Sequence, residues 1–238
     1  MSKRLYLTLL FVAFALVWLW AAIHPLYPAD WLLENYLVFL FVPIILLLGR
    51  WLRLSQISYT LITLFMILHV IGSHYTYAEV PFGSTLQHWF GANRNMYDRL
   101  VHFSFGFLLA YPVREVFIRV SKARGFWNYY FPVELTLALS AIYEILEWAA
   151  AANVNASAGL AFLGAQGDIW DAQKDMLMAG IGAVVAMLIT FVIANIVDRD
   201  TWRAVLDSLK IRDDEGPIGE DQIATWWRRR KNAVHASD

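Results

Sequence analysis

The sequence predicts an all-α polytopic membrane bundle of about six transmembrane helices with both termini cytoplasmic. Three observations carry that prediction. The 238-residue chain is 59% hydrophobic and only 16% charged, with a mean hydropathy of +0.47, too apolar for a soluble domain of this size. Its apolar residues gather into six runs, each close to the roughly 17–25 residues that cross a bilayer. Its basic residues fall in alternate connections, the pattern of the positive-inside rule.

The runs cover about 5–23, 33–49, 56–73, 98–118, 131–152 and 172–197. The first follows Lys3 and Arg4 and superficially resembles a secretory signal. A signal core is typically about 7–15 residues; this run is longer and no small-x-small cleavage site follows it, so it reads as a retained helix. The second is short and broken by Pro43, which a membrane helix tolerates. An even number of spans puts both termini on one side. Lys3, Arg4, Arg50, Arg53, Arg119, Lys122, Arg124, Arg199 and Arg203 share that side, whereas the opposite loops hold Arg94, with Arg99 and Lys174 at helix starts. Both termini are therefore expected in the cytoplasm.

Residues 1–197 are expected to form the transmembrane domain and 198–238 a charged cytoplasmic tail. The tail contains Gly216-Pro217-Ile218-Gly219 and ends with Trp226-Trp227-Arg228-Arg229-Arg230-Lys231. Tryptophan beside a basic cluster suits the surface of an anionic leaflet, and a solvated tail holding a short helix fits equally. Trp18, Trp20, Trp31, Trp89, Trp127 and Trp148 lie near run ends, as an aromatic belt does. The chain has no cysteine, which excludes disulfides, thiolate metal sites and a cysteine nucleophile. No basic stripe with interleaved aromatics marks a nucleic-acid partner; the expected partners are membrane lipids.

The candidate site comes from polar residues at the run ends on the outer side: His69, His74, Glu79, Asp98, His102, Glu144, Glu147, Asp168, Asp171 and Asp175. Ionisable groups at membrane depth are costly and usually functional. Asp98 and His102 are four apart, Glu144 and Glu147 three apart, and Asp168, Asp171 and Asp175 are spaced three then four, so each set shares a helix face. Capping and dipole effects account for Asp98, Asp168 or Asp171 taken singly, and His102 alone reads as a hydrogen-bonded buried histidine. Glu144 and Glu147 lie near a helix C-terminus, where the macrodipole disfavours negative charge. Arg94, Arg99 and Lys174 are too few to neutralise so many carboxylates. A divalent metal held by Asp98, His102, Glu147, Asp168, Asp171 and Asp175 would balance them; shared protons would do so too. Arg114-Glu115 at the far end of helix four reads as an interfacial ion pair or anchor.

The stretches GSHYTYAEVP (72–81), YDRLVHF (97–103), YEILEW (143–148) and FLGAQGDIWDAQKDM (162–176) resemble the YjdF-type bacterial inner-membrane proteins, the DUF2238 family. The resemblance covers residues 62–197, helices three to six. Asp98, Arg99, His102 and Phe103 are also faintly similar to VanZ-like membrane proteins, with Glu144 or Glu147 and Asp168, Asp171, Asp175 and Gly180 as loose counterparts. Asp175 stands where that family has an amide and Trp148 where it has Gln, so no envelope-resistance role is implied. Neither resemblance implies a reaction.

Two classes of function follow. In the first, an enzyme acts on a lipid or lipid-linked headgroup at the outer leaflet, with Glu144, Glu147, Asp171, Asp175 and His102 doing acid–base or metal chemistry. His74, Tyr77, Glu79, Arg94, Arg99 and Gln166 would bind substrate there, and no Gly-x-Ser-x-Gly elbow points to a serine nucleophile. In the second, the cluster binds an ion, a lipid or a partner without catalysis, or serves only structure. A transport conduit is the weaker version, because the last run is nearly bare of polar residues from Met176 to Ile196.

Overall fold

The computed structural model describes residues 2–153, 163–210 and 218–235. Nine α-helices lie in these residues: α1 Lys3–Ala21, α2 Pro28–Leu52, α3 Gln56–Tyr75, α4 Pro81–Phe90, α5 Tyr97–Val116, α6 Trp127–Ala152, α7 Asp171–Val197, α8 Thr201–Asp207 and α9 Ile218–His235. No strand occurs among the described residues. Six of the helices (α1, α2, α3, α5, α6 and α7) are long and apolar enough to cross a membrane. At about 1.5 Å per residue, the 27 residues of α7 span the hydrocarbon core with length to spare. Much of the apolar surface faces outward, with Leu47, Ile196 and Val197 all more than three-quarters exposed. Lipid, not water, is the solvent that suits it.

The six spans match the six apolar runs, with shifted ends. Pro28 starts α2 five residues before the run, because proline at the first helical position costs no hydrogen bond. The same helix runs through Pro43 to Leu52 rather than breaking there. Likewise α6 begins at Trp127 and carries Pro132 inside it. The ten-residue α4 was not foreseen from hydropathy. It starts on Pro81 and ends on Gly91 in the left-handed conformation, punctuation the sequence does carry.

Local caps set the ends. Ser55 Oγ accepts from Ser58 N–H at 3.1 Å, and Glu115 of α5 accepts from Ser55 N–H at 2.8 Å and from the Ser58 hydroxyl at 2.6 Å. Glu115 therefore secures the start of α3, with Arg119 alongside at 3.7 Å. Its neighbour Arg114 turns the other way, donating to Asn128 Oδ1 at 2.8 Å and lying over the Tyr129 ring. The expected Arg114–Glu115 ion pair does not form, since adjacent helical residues point about 100° apart.

Helix α5 is central, packing against α3, α6 and α7, while α1 and α2 pack against α3. The closest approach is between α5 and α7. A Cβ on Gly106 would meet the Ala179 carbonyl oxygen at 1.8 Å, and one on Gly182 the Phe103 carbonyl oxygen at 2.2 Å. Ala179 and Ala183 are fully buried in the same seam. Small residues let two membrane helices touch backbone to backbone. Because α5 and α7 both begin at the same end of the bundle, this contact also fixes their register. Beyond α7, α8 buries Val205, and Ser208 Oγ accepts from Phe126 N–H at 2.8 Å, tying this stretch to the start of α6. The Gly216-Pro217 pair lies outside the described residues.

Candidate functional site

The α5–α7 register carries the first turns of both helices into contact. Arg99, one turn into α5, donates to Asp171 Oδ1 at 2.5 Å, lies 3.3 Å from Asp168 and pairs with Asp175. Arg94, just before α5, pairs with Asp171 and lies 3.3 Å from Asp98. It also donates to the carbonyls of Gly164 and Ala165. Two guanidiniums thus hold the start of α7 and the segment before it onto α5. Lys174 reaches back to Asp168 at 2.7 Å. That hydrogen bond, with one from the Trp170 amide, holds the Asp168 carboxyl below its ordinary range.

A turn deeper, His102 Nε2 lies 3.5 Å from Asp98 Oδ1 and 3.5 Å from Glu144 Oε1. The Glu144 oxygen and Asp175 Oδ1 are both buried and have no hydrogen-bond partner among the described residues. One ligand atom from each of Asp98, His102 and Asp175 falls within 4.8 Å of the others. Oxygen and nitrogen ligands about 2.0–2.2 Å from a tetrahedral ion lie roughly 3.4 Å apart, so the spacings at His102 fit the edges of a coordination shell. Charge points the same way. Among the described residues, Asp98, Glu144, Asp171 and Asp175 have Arg94, Arg99 and the His102 imidazole as their basic partners. The carboxylates outnumber the guanidiniums, an excess that a divalent cation or bound protons would offset.

This cluster forms one end of a cavity of about 520 Å³ between α2, α3, α5 and α6. Phe41, Phe65, Phe105, Leu139, Ile142 and Leu146 supply apolar walls. The same cavity holds a second polar network. Glu34 of α2, buried, accepts from the Tyr143 hydroxyl at 2.8 Å. His69 Nε2 donates to the Glu34 carbonyl oxygen at 3.1 Å, which leaves Nδ1 as an acceptor for the Tyr77 hydroxyl at 2.5 Å. Tyr77 gets there because Thr76 and Tyr77 both adopt left-handed backbone (φ 59° and 54°) and fold the ring back onto Gly72. A Cβ on Gly72 would meet that ring at 2.7 Å. Burial pushes the Tyr77 phenol above its ordinary pKa, so it stays a proton donor.

The cavity therefore gathers Asp98, His102, Glu144, Glu147, Asp168, Asp171, Asp175 and Tyr77 along its wall, with Arg94 and Arg99 bound behind the carboxylates. His74, Glu79 and Gln166 lie elsewhere. His74 Nδ1 donates to the Ala21 carbonyl oxygen at 3.0 Å and its ring packs on Trp20. Glu79 accepts from Tyr27 at the surface. Gln166 brackets the Asn95 backbone, accepting from its amide at 2.8 Å. All three tie connections together. Glu147 lines the cavity, but among the described residues it is not in the close set around His102.

Sequence reading missed Glu34, although it lies just inside the second apolar run at the right depth. It also missed a stripe on α6, where Thr136 and Ser140 are buried two turns and one turn below Glu144, their hydroxyls unpartnered among the described residues. The i, i+4 spacing of Thr136, Ser140 and Glu144 was the available signal.

Six apolar spans around a buried acid–histidine cavity define a polytopic membrane protein, and the family model "Predicted membrane protein (DUF2238)" matches residues 6–195. The chain belongs to that family. It is similar to the inner membrane protein YjdF of Escherichia coli (strain K12), 38% identical over 187 residues that cover 78% of this chain and 89% of that protein. The family match takes in α1 and α2, which motifs alone had left out. No solved structure matches the chain. The protein is a multi-pass protein of the bacterial inner membrane.

Proposed function

We propose that this protein is a metal-dependent membrane enzyme acting on the headgroup of a lipid or lipid-linked substrate. The observation that carries the reading is the His102 cluster, which meets Asp98, Glu144 and Asp175 at the polar end of a cavity with otherwise apolar walls. Amphiphilic substrates need that division of surface. The distribution of basic residues supports a periplasmic cavity with both termini cytoplasmic.

Asp98, His102 and Asp175 would hold a divalent cation, which supplies Lewis-acid polarisation of a phosphoryl or acyl oxygen. Glu144, whose Oε1 lies 3.5 Å from His102 Nε2 and accepts no hydrogen bond among the described residues, would take the proton from an attacking water. Glu147 stands on the same helix face as a second base. Tyr77, kept protonated and oriented by His69, donates a hydrogen bond to the headgroup. Asp168 and Asp171 anchor the site through Lys174, Arg94 and Arg99. Since both guanidiniums are engaged by carboxylates, the cation rather than arginine meets an anionic substrate.

One observation favours a non-catalytic alternative. The same ion pairs that organise the site also bind α5 to α7, and a cluster so used can serve ligand binding or structure alone. The experiment is elemental mass spectrometry on detergent-purified protein beside a folded Asp98→Asn/Glu144→Gln variant, followed by a screen of lipid phosphates and esters. Near-stoichiometric metal lost in the variant, with turnover of one substrate class, supports the enzyme. Metal absent from both after reloading sinks it and leaves the binding role.

A further inference from the structure

A second cavity, of about 490 Å³, lies between α1, α2 and α3 and reaches their opposite ends. Lys3 and Arg53 stand at one end of it, with the Tyr59 ring against Gly49 beside them. From there the wall runs inward along Phe11 and Phe14 of α1 and Met66 of α3. Lys3 to Phe14 is eleven residues of helix, about 16 Å of rise, or roughly half a hydrocarbon core of about 30 Å. That is the depth of one leaflet, so the crevice has the length of a single acyl chain.

Lys3 Nζ makes one hydrogen bond, to the Leu54 carbonyl oxygen at 3.1 Å. Among the described residues no carboxylate pairs with Lys3 or with Arg53. An ammonium with spare donors beside a guanidinium is a phosphate-recognising pair. The left-handed backbone of Arg53 (φ 50°) ends α2 and begins the turn across which Lys3 reaches Leu54.

We propose that this crevice is a binding site for one anionic phospholipid. One acyl chain lies along α1 between α2 and α3, and the headgroup phosphate is held by Lys3 and Arg53. The site is separate from the His102 cluster and does not depend on the activity proposed for it. Native mass spectrometry of the full chain in mild detergent, loaded with dioleoyl-phosphatidylglycerol or dioleoyl-phosphatidylcholine, tests it. We expect one retained phosphatidylglycerol, preferred over phosphatidylcholine by about tenfold or more, as two basic groups at an interface contribute. Lys3→Gln/Arg53→Gln should bring that ratio close to one without moving the lipid-free thermal midpoint. Leu10→Trp, which fills the crevice and leaves both cations in place, should abolish retention of either lipid. Equal retention of the two lipids by the unmodified protein overturns the proposal. So does a phosphatidylglycerol preference that survives in either variant.

Discussion

Arg99 of α5 is held between Asp171 and Asp175, one helical turn apart on α7, and is itself almost fully buried. A buried charge with two opposite partners is costly to remove from one side only, because the partners stay behind unpaired. Arg99→Ala should therefore destabilise the protein by about 3–5 kcal/mol, seen as a fall in the thermal unfolding midpoint in detergent. Asp175→Asn should cost clearly less, since Asp171 still holds the guanidinium. Equal losses from the two would show that Arg99 does not act as the bridge.

Gly106 sets how near α5 and α7 can come, and so whether their first turns meet. A methyl group there collides with the Ala179 carbonyl, a backbone atom that cannot swing aside. Gly106→Ala should cost about 1–3 kcal/mol or more and should also weaken retention of the metal proposed at His102, four helical residues nearer the site end. Gly219→Ala, with nothing near it, is the control. An unchanged midpoint for Gly106→Ala would mean the helices slide apart without penalty.

What could be read from the sequence differs between fold and site. Six spans followed from hydropathy because the bilayer sets both their length and their composition. Helix α4 escaped because its ten residues are too short and too mixed to register as a span; only Pro81 and Gly91 announced it. At the site, the i, i+3 and i+4 spacings grouped Asp98 with His102 and Asp171 with Asp175, since a helix repeats its faces. Those spacings say nothing of which helices meet. That information sits in Gly106 and Gly182, residues that carry no chemistry. His74, Glu79 and Gln166 share the depth of the site but not its cavity. His74 and Gln166 satisfy backbone groups where the chain turns, and Glu79 accepts from the Tyr27 hydroxyl.

The Tyr77–His69 pair predicts a separable effect. Tyr77→Phe keeps the ring and leaves His69 Nδ1 without its donor, a loss of about 1–3 kcal/mol for a buried group. Gly72→Ala instead drives the ring away through its new Cβ. If Tyr77 serves the headgroup as proposed, Tyr77→Phe lowers turnover or lipid binding at the site beyond what its stability loss explains, while bound metal stays near stoichiometric. A variant that loses metal and function together would reduce Tyr77 to a structural prop.

Asp168 gives a pH signature that the buried carboxylates do not obscure, because it lies at the rim and is compared against its own amide. Its carboxyl is held below the ordinary value by the Lys174 ammonium at 2.7 Å, the Trp170 amide and Arg99. A carboxylate depressed in the folded state contributes stability that is fully present above its unfolded pKa of about 3.9. That contribution is lost as pH falls through the lower folded value. Thermal midpoints of the unmodified protein and Asp168→Asn should therefore differ most at pH 6–7, with the unmodified protein higher, and should converge in acid below about pH 4. A gap that persists unchanged as the pH falls well below about 3.9 would show that the Lys174–Asp168 contact carries no electrostatic weight.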